Sequence, residues 1–129
     1  MRQHEQASLL LKKAAEGEAL LSEVLTSQRV SDEIFGFHCQ QAAEKLLKAL
    51  LSAGGVDFPK THNLRLLMDL LADAGFFLPE SLADLDMLTP YGTLFRYENL
   101  PSDLVLNRQR FFTMIQTLSK WTVEVVGGP

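Results

Sequence analysis

Lys45, Lys48, Lys60 and His62 lie close together along the chain, and between Lys45 and Arg65 only Asp57 follows as an acid beyond the helix that carries the lysines. Ammonium groups and an imidazole that titrates near neutral pH suit the binding of phosphate or another polyanion. Gln41, Lys45, Lys48 and Ser52 recur at four, three and four residues, so on a helix they project from one side. Glu44 precedes Lys48 by four residues, the favoured orientation for an intrahelical ion pair. Lys60 and His62 flank the expected start of another helix, where free amides and positive charge favour anions. Further on, Arg96 offers a guanidinium that can fork onto a phosphate, and Tyr97 a ring on which a base can stack. Plainer readings stand beside these. The lysine row is also a solvated helix face, Thr61 or Asn63 is also a helix cap, and Arg96 is also a partner for a carboxylate at a subunit contact.

Other chemistries find little support. There is no glycine-rich phosphate loop, no HExxH and no nucleophile elbow. The single cysteine, Cys39, excludes an intrachain disulfide and a multi-cysteine zinc site, and its place on an apolar stripe suits a buried, inert thiol. The three histidines, His4, His38 and His62, share no helical turn, so neither a metal nor a cofactor is expected.

The elements that must hold these residues are helices. The chain has 129 residues, 47% hydrophobic and 22% charged, enough for one domain with a real core. Its net charge of −4 speaks against a globally basic surface, yet the charge is segregated. After the cationic stretch, Asp69, Asp73, Glu80, Asp84 and Asp86 follow with no Lys or Arg among them. No secretory leader and no membrane-length apolar run is visible, so a cytoplasmic protein is expected.

Helical periodicity predicts a first helix over residues 3–26, crossed by Gly17. A second is capped by Ser31, carries Phe35, Cys39, Ala42, Leu46 and Leu50 as its stripe, and stops at a left-handed Gly54. A third runs from near Thr61 to Ala74, and Pro79 opens a fourth. The last begins at Pro101 or Ser102 and places Leu104, Arg108, Phe111, Ile115, Leu118 and Val125 on one face, with Gly127 to Pro129 frayed. The expectation is an all-α, up-and-down antiparallel bundle of about five helices in a single domain. Phe95, Phe111, Phe112 and Trp121 are more large aromatics than one small core readily buries, which points to a homodimer.

The run FHCQQAAEKLLKALLSAGGVDFPKTHNL, from Phe37 to Leu64, resembles the signature of the HEPN domain family, and the aromatic-Arg-Tyr element ending at Tyr97 resembles one branch of it. The resemblance implies a helical bundle, a ligand cleft near this helix face and loop, and a usual partner, a separate minimal nucleotidyltransferase in a toxin–antitoxin-like pair. Family ribonucleases carry an Arg followed a few residues later by a His near the last helix. Here no His follows Arg96, Arg108 or Arg110, so that motif is absent. The expected function is a non-enzymatic nucleotide- or RNA-binding module. The alternatives are a divergent ribonuclease toxin using His62 and Arg96, and a structural dimer that holds a partner protein.

Overall fold

The structure, a computed structural model, describes residues 2–93 and 106–126. It is an all-α bundle, with no strand among the described residues. Four α-helices, α1 (Arg2–Val24), α2 (Asp32–Ala53), α3 (Leu64–Asp73) and α4 (Arg108–Val126), are joined by two 3-10 segments, Glu80–Leu82 and Leu85–Thr93. None of the described helices is long and apolar enough to cross a membrane.

The second helix is the axis of the bundle. Ser31 caps it as expected, its hydroxyl accepting from the Ile34 amide at 3.2 Å, and Asp32 and Glu33 occupy the positive first turn. Helices α1, α3 and α4 and the second 3-10 segment all pack on it. It is therefore buried round most of its circumference, with Phe35, Cys39, Ala43, Leu47 and Leu50 fully excluded from water. Each such leucine contributes about 1.5–3 kcal/mol through its lost apolar surface. Burial pushes the Cys39 thiol up to about 12, with the nearby Arg108 charge opposing it. On α1, Ala7, Ala14 and Leu21 are buried at seven-residue intervals, and the small pair lets α1 approach closely.

Several expected boundaries move. Gly54 ends α2 with φ −83°, and the left-handed residue is its neighbour Gly55, at φ 70°. Asn63 rather than Thr61 caps α3, its side chain accepting from Leu66 at 3.2 Å, so the helix starts at Leu64 and ends at Asp73. The helical stretch expected after Pro79 is 3-10, not α. Leu82, Leu85, Leu88 and Tyr91 recur every three residues and all are buried. Three residues per turn is the 3-10 period, so this winding puts all four on one side. An α-helix would smear them round its surface, and Pro90 would break its bonding.

The last helix starts at Arg108, with Asn107 accepting from the Arg110 amide at 3.0 Å, and not at Pro101 or Ser102. Leu104 and Gly127 to Pro129 lie outside the described residues. Phe111, Ile115 and Leu118 face the core as expected, but Val125 is exposed and Thr122 is buried in its place. Phe112 is also buried within the same chain, so Phe111 and Phe112 need no second subunit to cover them.

Arg108 does not join that apolar face as a core residue. Its guanidinium donates to Asp32 Oδ1 at 2.7 Å, to the carbonyls of Val24 and Ser27 at 3.1 and 3.0 Å, and to the carbonyl of Val30. It also lies 5.1 Å from the Phe35 ring centre. One side chain thus ties the α1–α2 loop and the start of α2 to the start of α4.

Candidate functional site

A connected polar network runs along α2 and into the loop before α3. Its hub is Glu44, whose side chain is only 9% exposed. Lys48 Nζ donates to Glu44 Oε2 at 2.9 Å, the pair expected from their spacing. Gln40 Nε2 donates to Glu44 Oε1 at 3.1 Å, and His62 Nδ1 lies 2.7 Å from the same oxygen. Gln40 Nε2 also donates to the His62 carbonyl at 2.9 Å, so the loop is held by both backbone and ring. Gln41 donates to Gln40 Oε1 at 2.8 Å, and Lys45 Nζ reaches Gln41 Oε1 at 3.4 Å.

Burial alone would raise the Glu44 pKa. Hydrogen bonds from Lys48, His62 and Gln40, together with the Lys48 charge, outweigh it and hold the carboxyl below its ordinary value. Glu44 is therefore ionised at neutral pH and can only accept. It follows that the His62 nitrogen facing it carries a proton, which leaves Nε2 as the ring atom that can meet a ligand. The ring is accessible, since the His62 side chain is 58% exposed.

The loop geometry has local causes. Thr61 Oγ1 accepts from the Asn63 amide at 3.0 Å, and Thr89 Oγ1 accepts from Leu64 N at 3.2 Å. With Asn63 accepting from Leu66 N, the Leu64 and Leu66 amides at the start of α3 already have partners, which shifts anion binding here towards side chains. The second 3-10 segment passes close by. A Cβ on Gly92 would lie 2.7 Å from the amide carbon of Gln40, so glycine is what lets this segment pack on the network.

The structure brings Lys45, Lys48 and His62 to the ends of this one network. Lys48 also stands 5.8 Å over the Phe58 ring, on the loop that leads to His62. Lys60 is exposed, two residues before His62. Arg96 and Tyr97 lie outside the described residues. Beside Lys45, a groove of about 290 Å³ opens between α1 and α2, with Gly17, Leu20, His38 and Ala42 in its walls. Burial, then the Lys45 charge, lowers the pKa of His38, so it is neutral at pH 7. Among the described residues, no group of three or more His, Cys, Asp or Glu side chains is placed to hold a metal ion.

The residues that sequence reasoning undervalued are Gln40 and Glu44. Their signal was there: Gln40 and Glu44 are polar side chains four apart, in line with the apolar residues Leu47 and Leu51 of the buried face. Such a pair, once buried, must find partners.

Compared with known protein families, the chain matches the HEPN domain model over residues 7–122. No curated protein and no solved structure gives a significant match.

Proposed function

The chain belongs to the HEPN domain family, and from that premise we propose that it is a nucleotide- or RNA-binding module acting with a minimal nucleotidyltransferase. One observation supports the ligand above all. Lys45, Lys48 and His62 are the termini of a single bonded network, beside the exposed Lys60. The buried carboxylate holds Lys48 and His62 in place before any ligand arrives, which lowers the ordering cost of binding. Lys45, Lys60 and the outer nitrogen of His62 then meet the phosphates, and Arg96 and Tyr97 complete the proposed site. The partner rests on the family resemblance. A homodimer belongs to the same proposal, supported by apolar side chains that α1 and α4 leave exposed, among them Leu9, Leu20 and Val123.

The test is a titration of labelled nucleotides and short single-stranded RNAs at two salt concentrations. Binding should weaken steeply with salt, because each neutralised phosphate releases counterions. Lys45→Ala and Lys60→Ala should each weaken it without unfolding the protein. A flat titration at low salt sinks the ligand reading and leaves a partner-holding dimer in front.

A second reading is favoured by the Glu44–His62 pair. A carboxylate behind an imidazole is how a general base is oriented. His62 Nε2 would take the proton of an RNA 2′-hydroxyl while that oxygen attacks the adjacent phosphorus, and the 5′-oxygen would leave with a proton from water. A 2′,3′-cyclic phosphate and a 5′-hydroxyl would result. Cleavage of RNA in the presence of EDTA, lost in His62→Ala, would establish this reading; equal cleavage by both proteins would remove it.

A further inference from the structure

Along α3 and the turn that follows it lies a second surface, lined by none of the network's residues and opposite in charge. A groove of about 200 Å³ is walled by Met68, Ala72, Phe76, Leu78 and Leu82, with Phe77 at its mouth. Phe77 is 76% exposed, the most exposed of the large apolar side chains among the described residues. Folding leaves this ring in water while its neighbours Phe76 and Leu78 are partly buried against the core. A solvent-facing aromatic beside an apolar groove is the usual composition of an interface anchor.

The rim is acidic. Asp69 and Glu80 line the groove, and Asp73 stands one helical turn beyond Asp69. Asp84 follows the lining residue Ala83, and Asp86 is bound to the lining Arg65 at 3.2 Å. Among the described residues, two cations answer these five carboxylates: Arg65, shared between Asp86 and Asp69, and Arg110, 2.8 Å from Asp84. Asp73 and Glu80 have no ion pair among the described residues.

We infer that this face docks a second, different protein through an amphipathic segment whose apolar stripe enters the groove beside Phe77 and whose flanks are basic. The charge chooses among occupants. Nucleic acid would meet the carboxylates with its phosphates. A second copy in twofold contact would set the same acids against one another at short range. A basic partner meets complementary charge, which speeds and orients encounter, while the aromatic anchor supplies affinity. The surface is separate from the cationic network, so one chain can hold a polyanion and a protein at once.

The experiment uses the whole chain and a labelled synthetic helix with a leucine stripe flanked by lysines. Two controls accompany it: the same helix with glutamate in place of lysine, and an oligolysine of equal charge. The lysine-flanked helix should bind about tenfold more tightly than oligolysine, and the glutamate helix should not bind. Phe77→Ser, at so exposed a position, should keep the melting temperature and remove the tenfold preference. The double change Asp73→Lys with Glu80→Lys should weaken the lysine-flanked helix and spare the fold. Equal binding by wild type and Phe77→Ser overturns the inference, as does equal binding of oligolysine or of the glutamate helix. Light scattering that shows a dimer abolished by Phe77→Ser also overturns it, by assigning the face to a second copy.

Discussion

Arg108 holds Asp32 at 2.7 Å across a sequence distance of 76 residues, and the same guanidinium closes on the carbonyls of Val24, Ser27 and Val30. Its side chain is 17% exposed, so removing it strands acceptors in a largely dry place. Arg108→Ala should cost about 2–4 kcal/mol, the range for breaking one partner of a buried hydrogen-bonded charge network. Arg108→Lys should recover less than half of that, since an ammonium cannot reach four acceptors from one plane. Urea denaturation of the three proteins measures both. A loss below about 1 kcal/mol for the alanine variant would show that the loop holds itself, since surface changes commonly fall within that range.

This contact also marks how far the sequence could be read. The apolar stripe of α2, the Ser31 cap and the Glu44–Lys48 pair were legible because each is local, set by spacing and by the backbone of one helix. Arg108 was not. A cation at a helix start is normally unfavourable, and only the carbonyls of a distant loop explain it. The 3-10 region failed for another reason. Its signal, leucines every three residues, was present, but a proline that suits a first helical turn suggested α winding. The candidate site was half legible. The lysines and His62 stood out by type and the Glu44–Lys48 pair by spacing, whereas the burial of Gln40 and Glu44, and so their hold on the loop at His62, depends on the elements that pack round α2.

Glu44 should give the protein a distinct acid sensitivity. Its folded pKa lies below its ordinary value of 4.5, so the stability it contributes is complete above that value and is lost as pH falls through the lower folded value. Below about pH 4.5 the wild type should therefore lose stability faster than Glu44→Gln, which has no carboxyl to protonate. Denaturation midpoints taken stepwise from pH 6 to pH 3 give the two slopes. Parallel slopes would show that the network does not depend on the Glu44 charge.

Gly17 offers the opposite kind of change. It sits inside α1, and an added Cβ would meet only the Ala42 Cβ, at 3.8 Å, an ordinary contact distance. Gly17→Ala should stabilise the protein by about 0.5–1 kcal/mol, through helix propensity with no packing penalty. Thermal melts would register a rise of a few degrees. A fall would mean that α1 and α2 cannot part by the little that the methyl requires.

Because Gln40 and Glu44 stand on the helix that the three other α-helices pack against, their amides should be among the slowest to exchange with deuterium, opening only when the whole domain opens. A change at either residue should therefore show first as altered protein abundance. Substitutions at Lys60 and in the exposed loop around His62 should carry little stability penalty, because a side chain there can vary without loosening the axis. The second helix is the keel of this chain: it steadies the vessel and leaves the steering to the parts that touch the water.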